Sequence, residues 1–218
     1  MEPHRKRVKH YHEPGDFHEL TFSCYDRLPR LVRDDWRRLL CQAIDKAIAA
    51  HDFALVAFVL MPEHLHLLVY PRHQTAEALA SQGPRQWHPT ASDIDSSKEV
   101  LERLSRLLAD IKQPFSRRVK RILVDERSPL LSDLTLFERP GKKAFRFWQE
   151  GPGYDRNLSS KEPILPAIDY FHLNPVRRGL VAQAVDWKWS SARWYISDGK
   201  DHDPDLPTIH GPPWELFV

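Results

Sequence analysis

"FALVAFVLMPEHLHLLVYP", residues 53–71, limits the fold more than any other stretch of the chain. A short, nearly continuous apolar run ends at Pro62-Glu63, and a second run follows at once, "HLHLLVYP". The first run reads as a central strand buried on both faces. The Pro-Glu pair marks a turn, and so tight a connection joins two strands only as an antiparallel hairpin. Any fold for this chain has to accommodate that hairpin in its core.

The flanking segments say what packs on it. "HELTFSCY", His18 to Tyr25, is rich in aromatic and β-favouring residues and reads as a strand. In "DDWRRLLCQAIDKAIAAHD", Trp36, Leu39, Leu40, Ala43, Ile44, Ala47 and Ile48 recur at helical spacing, and Asp34 is a plausible N-cap. Gln74 to Asp95 is loop-like. From Ser96, the residues Val100, Leu101, Leu104, Leu107, Leu108 and Ile111 mark a second amphipathic helix, which Pro114 should kink or interrupt before helix resumes through "FSRRVKRIL". Asp125 to Gly141 reads as an insertion loop. A last strand is expected at Ala144 to Gln149, before a Gly-Pro-Gly turn, and "EPILPAIDYFHL" reads as a short helix ended by Asn174-Pro175. The order βαββα plus a further strand implies an α+β class. The expected architecture is a ferredoxin-like antiparallel sheet with helices on one face, an inserted segment and a C-terminal tail. The expected division is one domain over residues 1–195, with its insertion at about 125–141, and a tail over 196–218.

At 218 residues the chain can bury a core without disulfides or a structural metal. Its two cysteines, Cys24 and Cys41, lack metal-ligand spacing and suit a reducing compartment. "MEPHRKRVKHYHEPG" contains no apolar core of a signal peptide, and no run approaches the ~20 apolar residues that span a bilayer. A cytoplasmic location and no membrane partner are expected. The net charge of +2 announces no polyanionic partner by itself. The charge is unevenly placed, however. Arg5 to Lys9 are mostly basic, and Lys112 to Arg121 hold five cations and no acid. Such runs either follow a phosphate backbone or are solvated faces.

The chemistry begins at His64 and His66. On a strand they point the same way, about 7 Å apart along the chain, while Leu65 and Leu67 point the other way. Two imidazoles so placed can share one divalent ion, although Zn, Mn, Fe, Ni and Cu all accept imidazole and the spacing selects none of them. The same pattern also occurs as two partly exposed histidines. "AIDYFHLNPVRRGLV" supplies a second element. Tyr170 and Asn174 are four residues apart and share a helix face, whereas His172 points elsewhere. A tyrosine beside a cation-bound phosphate can act as a nucleophile, and an asparagine carbonyl can complete a coordination set.

Together these segments resemble a known family. "MPEHLHLLV" resembles the HUH motif (His, hydrophobic, His) of single-tyrosine transposases. "DYFHLNPVRRGLV" resembles the segment of REP-associated tyrosine transposases that carries the nucleophile. "DWKWSSARWY" and "LTFSCYDRLPRL" resemble that family's following segment and first strand. The match runs with gaps from about Tyr11 to Tyr195. The resemblance implies a ferredoxin-like core and metal-dependent cleavage and transfer of single-stranded DNA beside small hairpins. Tyr170 would be the catalytic nucleophile, forming a 5′-phosphotyrosine link. His64 and His66, with Asn174 as an amide-type third ligand, would hold Mg²⁺ or Mn²⁺. Since Mg²⁺ prefers oxygen ligands, Mn²⁺ would serve better in vitro.

A single strand needs a cationic groove and aromatic platforms. The candidates are Arg117, Arg118, Lys120 and Arg121 on the long helix, and Lys142, Lys143 and Arg146 near the last strand, with Phe147 and Trp148 beside them. Arg177 and Arg178 lie just beyond Pro175. A catalytically silent hairpin-binding regulator is the alternative to a transposase, and a metallohydrolase that uses only the histidine pair is a third reading. The DNA sequence recognised, the choice between monomer and homodimer, and the role of residues 125–141 stay open.

Overall fold

The computed structural model describes residues 16–72, 91–151, 153–158 and 161–212. The basic run Arg5 to Lys9 and residues 74–90 of the expected loop lie outside them. Four strands form the main antiparallel sheet: β1 (Phe17–Ser23), β2 (Phe53–Leu60), β3 (His64–Pro71) and β6 (Tyr154–Leu158), in the order β2-β3-β1-β6. With α1 (Asp34–Ala50) between β1 and β2, and α2 (Ala91–Asp125) after β3, this is the ferredoxin-like α+β arrangement.

Alternation along β1 and β3 divides the interior into two layers. Leu20, Phe22, Leu65, Leu67 and Val69 face α1 and α2 and bury Trp36, Leu40, Ile44, Leu107, Ile111, Phe115 and Val119. Asp34 and Asp35 occupy the first turn of α1, where carboxylates complement the helix dipole; Arg33, not Asp34, stands at the N-cap. α2 runs through Pro114 without a break, because buried residues on both sides of it, Ile111 and Phe115, hold the helix to the sheet. That packing outweighs a mid-helix proline penalty of about 3 kcal/mol. α2 also starts earlier than its periodicity suggests, at Ala91.

The two helices of the ferredoxin-like core share one face, as expected. The opposite face is covered by α4 (Lys161–Arg177), whose Ile164, Ala167, Ile168 and Phe171 pack on Phe17, Val56, Val59 and Leu68. Asn174-Pro175 does not end α4. The helix ends beyond Arg177 at Gly179, which has a φ of 67°, with Leu180 N–H donating to Pro175 O and Gly179 N–H to Val176 O. That is the Schellman arrangement, and it needs glycine at the left-handed position.

Three further expectations are corrected. β2 is a sheet edge, not a central strand. It is buried because the C-terminal segment covers its free edge. Leu60 N–H donates to Trp189 O, Ser191 N–H to Phe58 O, Tyr195 Oη to Val56 O and His210 N–H to Leu55 O. Residues 125–141 are not a plain loop, since α3 (Leu130–Asp133) leads into a hairpin of β4 (Thr135–Arg139) and β5 (Lys142–Phe145). The strand expected at Ala144 to Gln149 therefore belongs partly to that hairpin, and the fourth strand of the main sheet is β6. At the entry to β6, Gly153 has a φ of 91° and lies so close to β1 that a Cβ would stand 2.3 Å from Thr21 O. No other residue fits there.

Candidate active site

The register of β3 against β1 sets His64 opposite Ser23 and His66 opposite Thr21, all on the face that α4 covers. Their Nε2 atoms converge to 3.1 Å, with the rings nearly perpendicular at 87°. α4 carries three neighbours of His66. Phe171 stacks on the ring with a centroid separation of 5.1 Å. Tyr170 meets it edge-on at 5.6 Å. Asn174 brings its amide nitrogen to 3.4 Å from His66 Nε2. A half-turn of that amide, which leaves its shape unchanged, places the oxygen there instead. The tyrosine and the histidines thus meet within one polypeptide. Tyr170 is 42% exposed, so its ring is open to a ligand rather than packed away. Arg177 lies over the same ring, its Cζ 5.4 Å from the centroid.

Hydrogen bonds behind the imidazoles orient them. Glu63 Oε1 lies 3.0 Å from His64 Nδ1 and accepts a bond from Arg178 Nη1 at 2.5 Å. Burial alone would raise the Glu63 carboxyl, but the Arg178 bond and the neighbouring His64 more than offset it and hold it below the usual carboxylate range. The ionised carboxylate can only accept, so His64 Nδ1 carries the hydrogen and His64 Nε2 is bare. His66 Nδ1 and Thr21 Oγ1 share a hydrogen at 2.7 Å. When the imidazole is the donor there, His66 Nε2 is bare as well. Burial lowers the affinity of both rings for a proton, and together with repulsion from His64 whenever that ring is protonated it pushes His66 down to about 3. Both are therefore neutral imidazoles at neutral pH.

This donor set fits a divalent cation. Two ligands in cis positions of an octahedral ion, each about 2.1 Å from it, stand about 3.0 Å apart, close to the observed Nε2 separation. A carboxylate behind a ligating histidine is the usual outer support of such sites. Among the described residues no group of three His, Cys, Asp or Glu could hold a metal ion, and Asn174 is the further polar side chain that reaches His66 Nε2.

Two clefts flank Tyr170 and share Thr21, His66 and Tyr170 in their walls. One, of about 530 Å³, reaches Ser23, Arg27, Glu63, His64 and Arg178. The other, of about 500 Å³, reaches Glu19, Tyr154 and Arg156.

The remaining cationic candidates are dispersed. Arg117, Lys120 and Arg146 line a third cleft, of about 620 Å³, between α2 and residues 145–151. Arg118 and Arg121 are exposed on α2. Lys142 and Arg146 both pair with Glu138, Arg146 also pairs with Glu150, and the Lys143 ammonium lies over Phe137. Phe147 and Trp148 are not open platforms for bases. They are 1% and 7% exposed and pack against Phe115, Trp36 and Phe22. Half-buried Lys112 donates to Gly151 O at 3.1 Å, and desolvation lowers its ammonium to about 8.

Sequence reasoning passed over Thr21, Glu63, Glu19 and Arg156. Thr21 and Glu19 had a usable signal. In "HELTFSC" Leu20, Phe22 and Cys24 alternate with Glu19, Thr21 and Ser23, which marks one polar face.

Fold and site together define a class: a ferredoxin-like α+β protein whose H-x-H strand faces a tyrosine helix. Among solved structures, one similar to this chain is a REP-associated tyrosine transposase bound to a REP hairpin. It has 17% sequence identity and a TM-score of 0.55 over 98% of this chain and 97% of that one, and this chain shares its fold. A transposase candidate from Deinococcus radiodurans R1 aligns with 16% identity and a TM-score of 0.36 over 80% of this chain and 97% of that one, too loosely to carry an argument. No family model and no curated protein matches. Among the described residues no helix is long and apolar enough to cross a membrane.

Proposed function

We propose that this chain is a metal-dependent single-tyrosine transposase of the HUH type, acting on single-stranded DNA beside hairpin repeats. The observation that carries the reading is the meeting of Tyr170 with His66, 104 residues away in sequence, at a ring separation of 5.6 Å and beside a second converging imidazole. The fold shared with a REP-associated transposase supports it. His64, His66 and Asn174 would hold Mg²⁺ or Mn²⁺, which would polarise the scissile phosphate. The Tyr170 phenol gives up its proton to solvent or a nearby base, and its oxygen bonds to phosphorus. The bond from phosphorus to the 3′ oxygen breaks, and that oxygen leaves as a hydroxyl after taking a proton. The product is a 5′-phosphotyrosine, which keeps the phosphodiester's energy for rejoining to another 3′ end, with no nucleotide triphosphate consumed. Arg178 and Arg27 line the cleft beside the histidines, where they suit the phosphates of the strand.

The test is a labelled hairpin with a single-stranded flank, incubated with the full chain and Mn²⁺. A covalent adduct should form and vanish in Tyr170→Phe, while hairpin binding persists. Cleavage by Tyr170→Phe would assign the chemistry to the histidine pair alone. Hairpin binding with no adduct from the unsubstituted chain would identify a silent regulator.

A further inference from the structure

The second cleft beside Tyr170 has a composition that phosphate chemistry does not explain. Its floor is a cross-strand pair, Glu19 on β1 directly opposite Arg156 on β6. The two form an ion pair, with Arg156 Nε 3.1 Å from Glu19 Oε2. The Nη pair of Arg156 and Glu19 Oε1 make no other bond among the described residues. The Glu19 side chain is only 10% exposed and that of Arg156 48%, so the carboxylate lies at the bottom and the guanidinium fork opens into the space. A lone carboxylate would repel a DNA backbone, and an ion pair on an open surface stabilises little. Here the pair sits in a cavity of about 500 Å³, within the size range of small-molecule sites. Aromatic rings border it: Tyr154, 54% exposed, and Tyr170. The Pro166 ring adds an apolar wall.

Donor and acceptor side by side, with exposed rings around them, are what an unstacked nucleobase requires. The bases differ in how they would use the pair. Guanine presents two adjacent donors, N1–H and N2–H, next to the O6 acceptor. A carboxylate can take both donors while arginine donates to O6. Adenine, cytosine and thymine each present one donor on that edge and leave part of the pair unmatched. Arginine is also the side chain most often found on guanine.

We propose that Glu19 and Arg156 form a guanine-reading pocket for a nucleotide of the single-stranded flank next to the scissile phosphate, with Tyr154 as its stacking platform. This rests on the strand-transferase reading of the same site. Register places the pocket: Thr21, which holds His66, is two residues from Glu19 on the same face of β1, so the base lies one step along the sheet from the chemistry. The pocket selects which phosphate reaches Tyr170.

The experiment uses the full chain carrying Tyr170→Phe, so that strands stay intact, with Mn²⁺ and hairpin oligonucleotides whose single-stranded flank is randomised. Retained strands are sequenced. One flank position should be enriched in guanine about 10- to 100-fold over the other bases, the range of one bidentate base contact. Adding Arg156→Ala should remove the enrichment at that position only, and Glu19→Gln should reduce it. Arg156→Lys keeps the charge and loses the fork. It should behave as Arg156→Ala does, and it decides the matter if the alanine variant fails to fold. Equal sequence profiles with and without the Arg156 substitutions, or enrichment of another base at the affected position, would overturn the pocket. Hairpin retention with no guanine preference overturns the pocket alone. Guanine enrichment with no tyrosine adduct from the unsubstituted chain overturns the catalytic reading alone, and no retention overturns both.

Discussion

Replacing Glu63 should weaken the site without touching either imidazole. Glu63 Oε1 accepts from His64 Nδ1 at 3.0 Å and from Arg178 Nη1 at 2.5 Å, so one oxygen fixes both the tautomer and the direction of His64. Removing an outer-shell partner of a metal-ligating histidine typically costs 10- to 100-fold in metal affinity, or roughly 1.4 to 2.7 kcal/mol. The two available substitutions divide that range. Glu63→Gln keeps a carbonyl that can accept from His64 Nδ1 and loses the negative charge, so Mn²⁺ affinity should fall about tenfold. Glu63→Ala also loses the orientation and should approach a hundredfold loss. Isothermal titration of the full chain with Mn²⁺, together with the paramagnetic resonance signal of the bound ion, reads both effects without any DNA. If both variants bind Mn²⁺ as the parent does, the histidine pair is not held by Glu63, and the account of the site's electrostatics fails.

Gly153→Ala should destabilise the fold by roughly 1 to 3 kcal/mol or more, because it combines a positive φ with a methyl group aimed at Thr21 O; thermal melting checks this, and an unchanged midpoint would contradict the close approach of β6 to β1. Burial pushes the His172 imidazole from its ordinary 6.5 down to about 4, so the unfolded chain takes up a proton at higher pH than the folded one. The stability that the neutral ring provides is complete above about pH 6.5 and is lost as the pH falls toward about 4. Denaturant titrations at pH 7 and pH 4 should therefore differ by roughly 3 kcal/mol less in His172→Gln than in the parent. Hairpin affinity should fall steeply with salt, and Lys120→Ala combined with Arg117→Ala should flatten the slope of log affinity against log salt by about two units if both contact phosphates; an unchanged slope would remove the α2 cleft from the DNA path.

The parts of this fold that could be read in the sequence are those in which one chain segment carries its own period. α1 and the β2–β3 hairpin are of that kind, as are the pairs His64/His66 and Tyr170/Asn174, which local geometry sends to one face each. What could not be read depends on partners distant in sequence. β2 looks central because residues 187–210 cover its edge, and no pattern within β2 distinguishes that cover from another strand. β6 is polar at Tyr154, Asp155, Arg156 and Asn157, so it shows no apolar alternation, while the aromatic residues Phe147 and Trp148 just before it fill the core from an irregular segment and drew the strand assignment to themselves. The supports of the histidines follow the same rule. Thr21 and Glu19 acquire their places from the β1 register against β3 and β6, and Glu63 from the position of Arg178 beyond the end of α4.

In the proposed reaction Tyr170 bonds to DNA while His64 and His66 hold a cation. Mass spectrometry of the peptides obtained after incubation with Mn²⁺ and a hairpin carrying a single-stranded flank tests it most directly. One nucleotide-bearing peptide is expected, linked through the Tyr170 oxygen to a 5′ phosphate, and it should disappear in His66→Ala. A link at another residue, or an adduct that forms equally well with the histidine removed or the metal chelated, would contradict it.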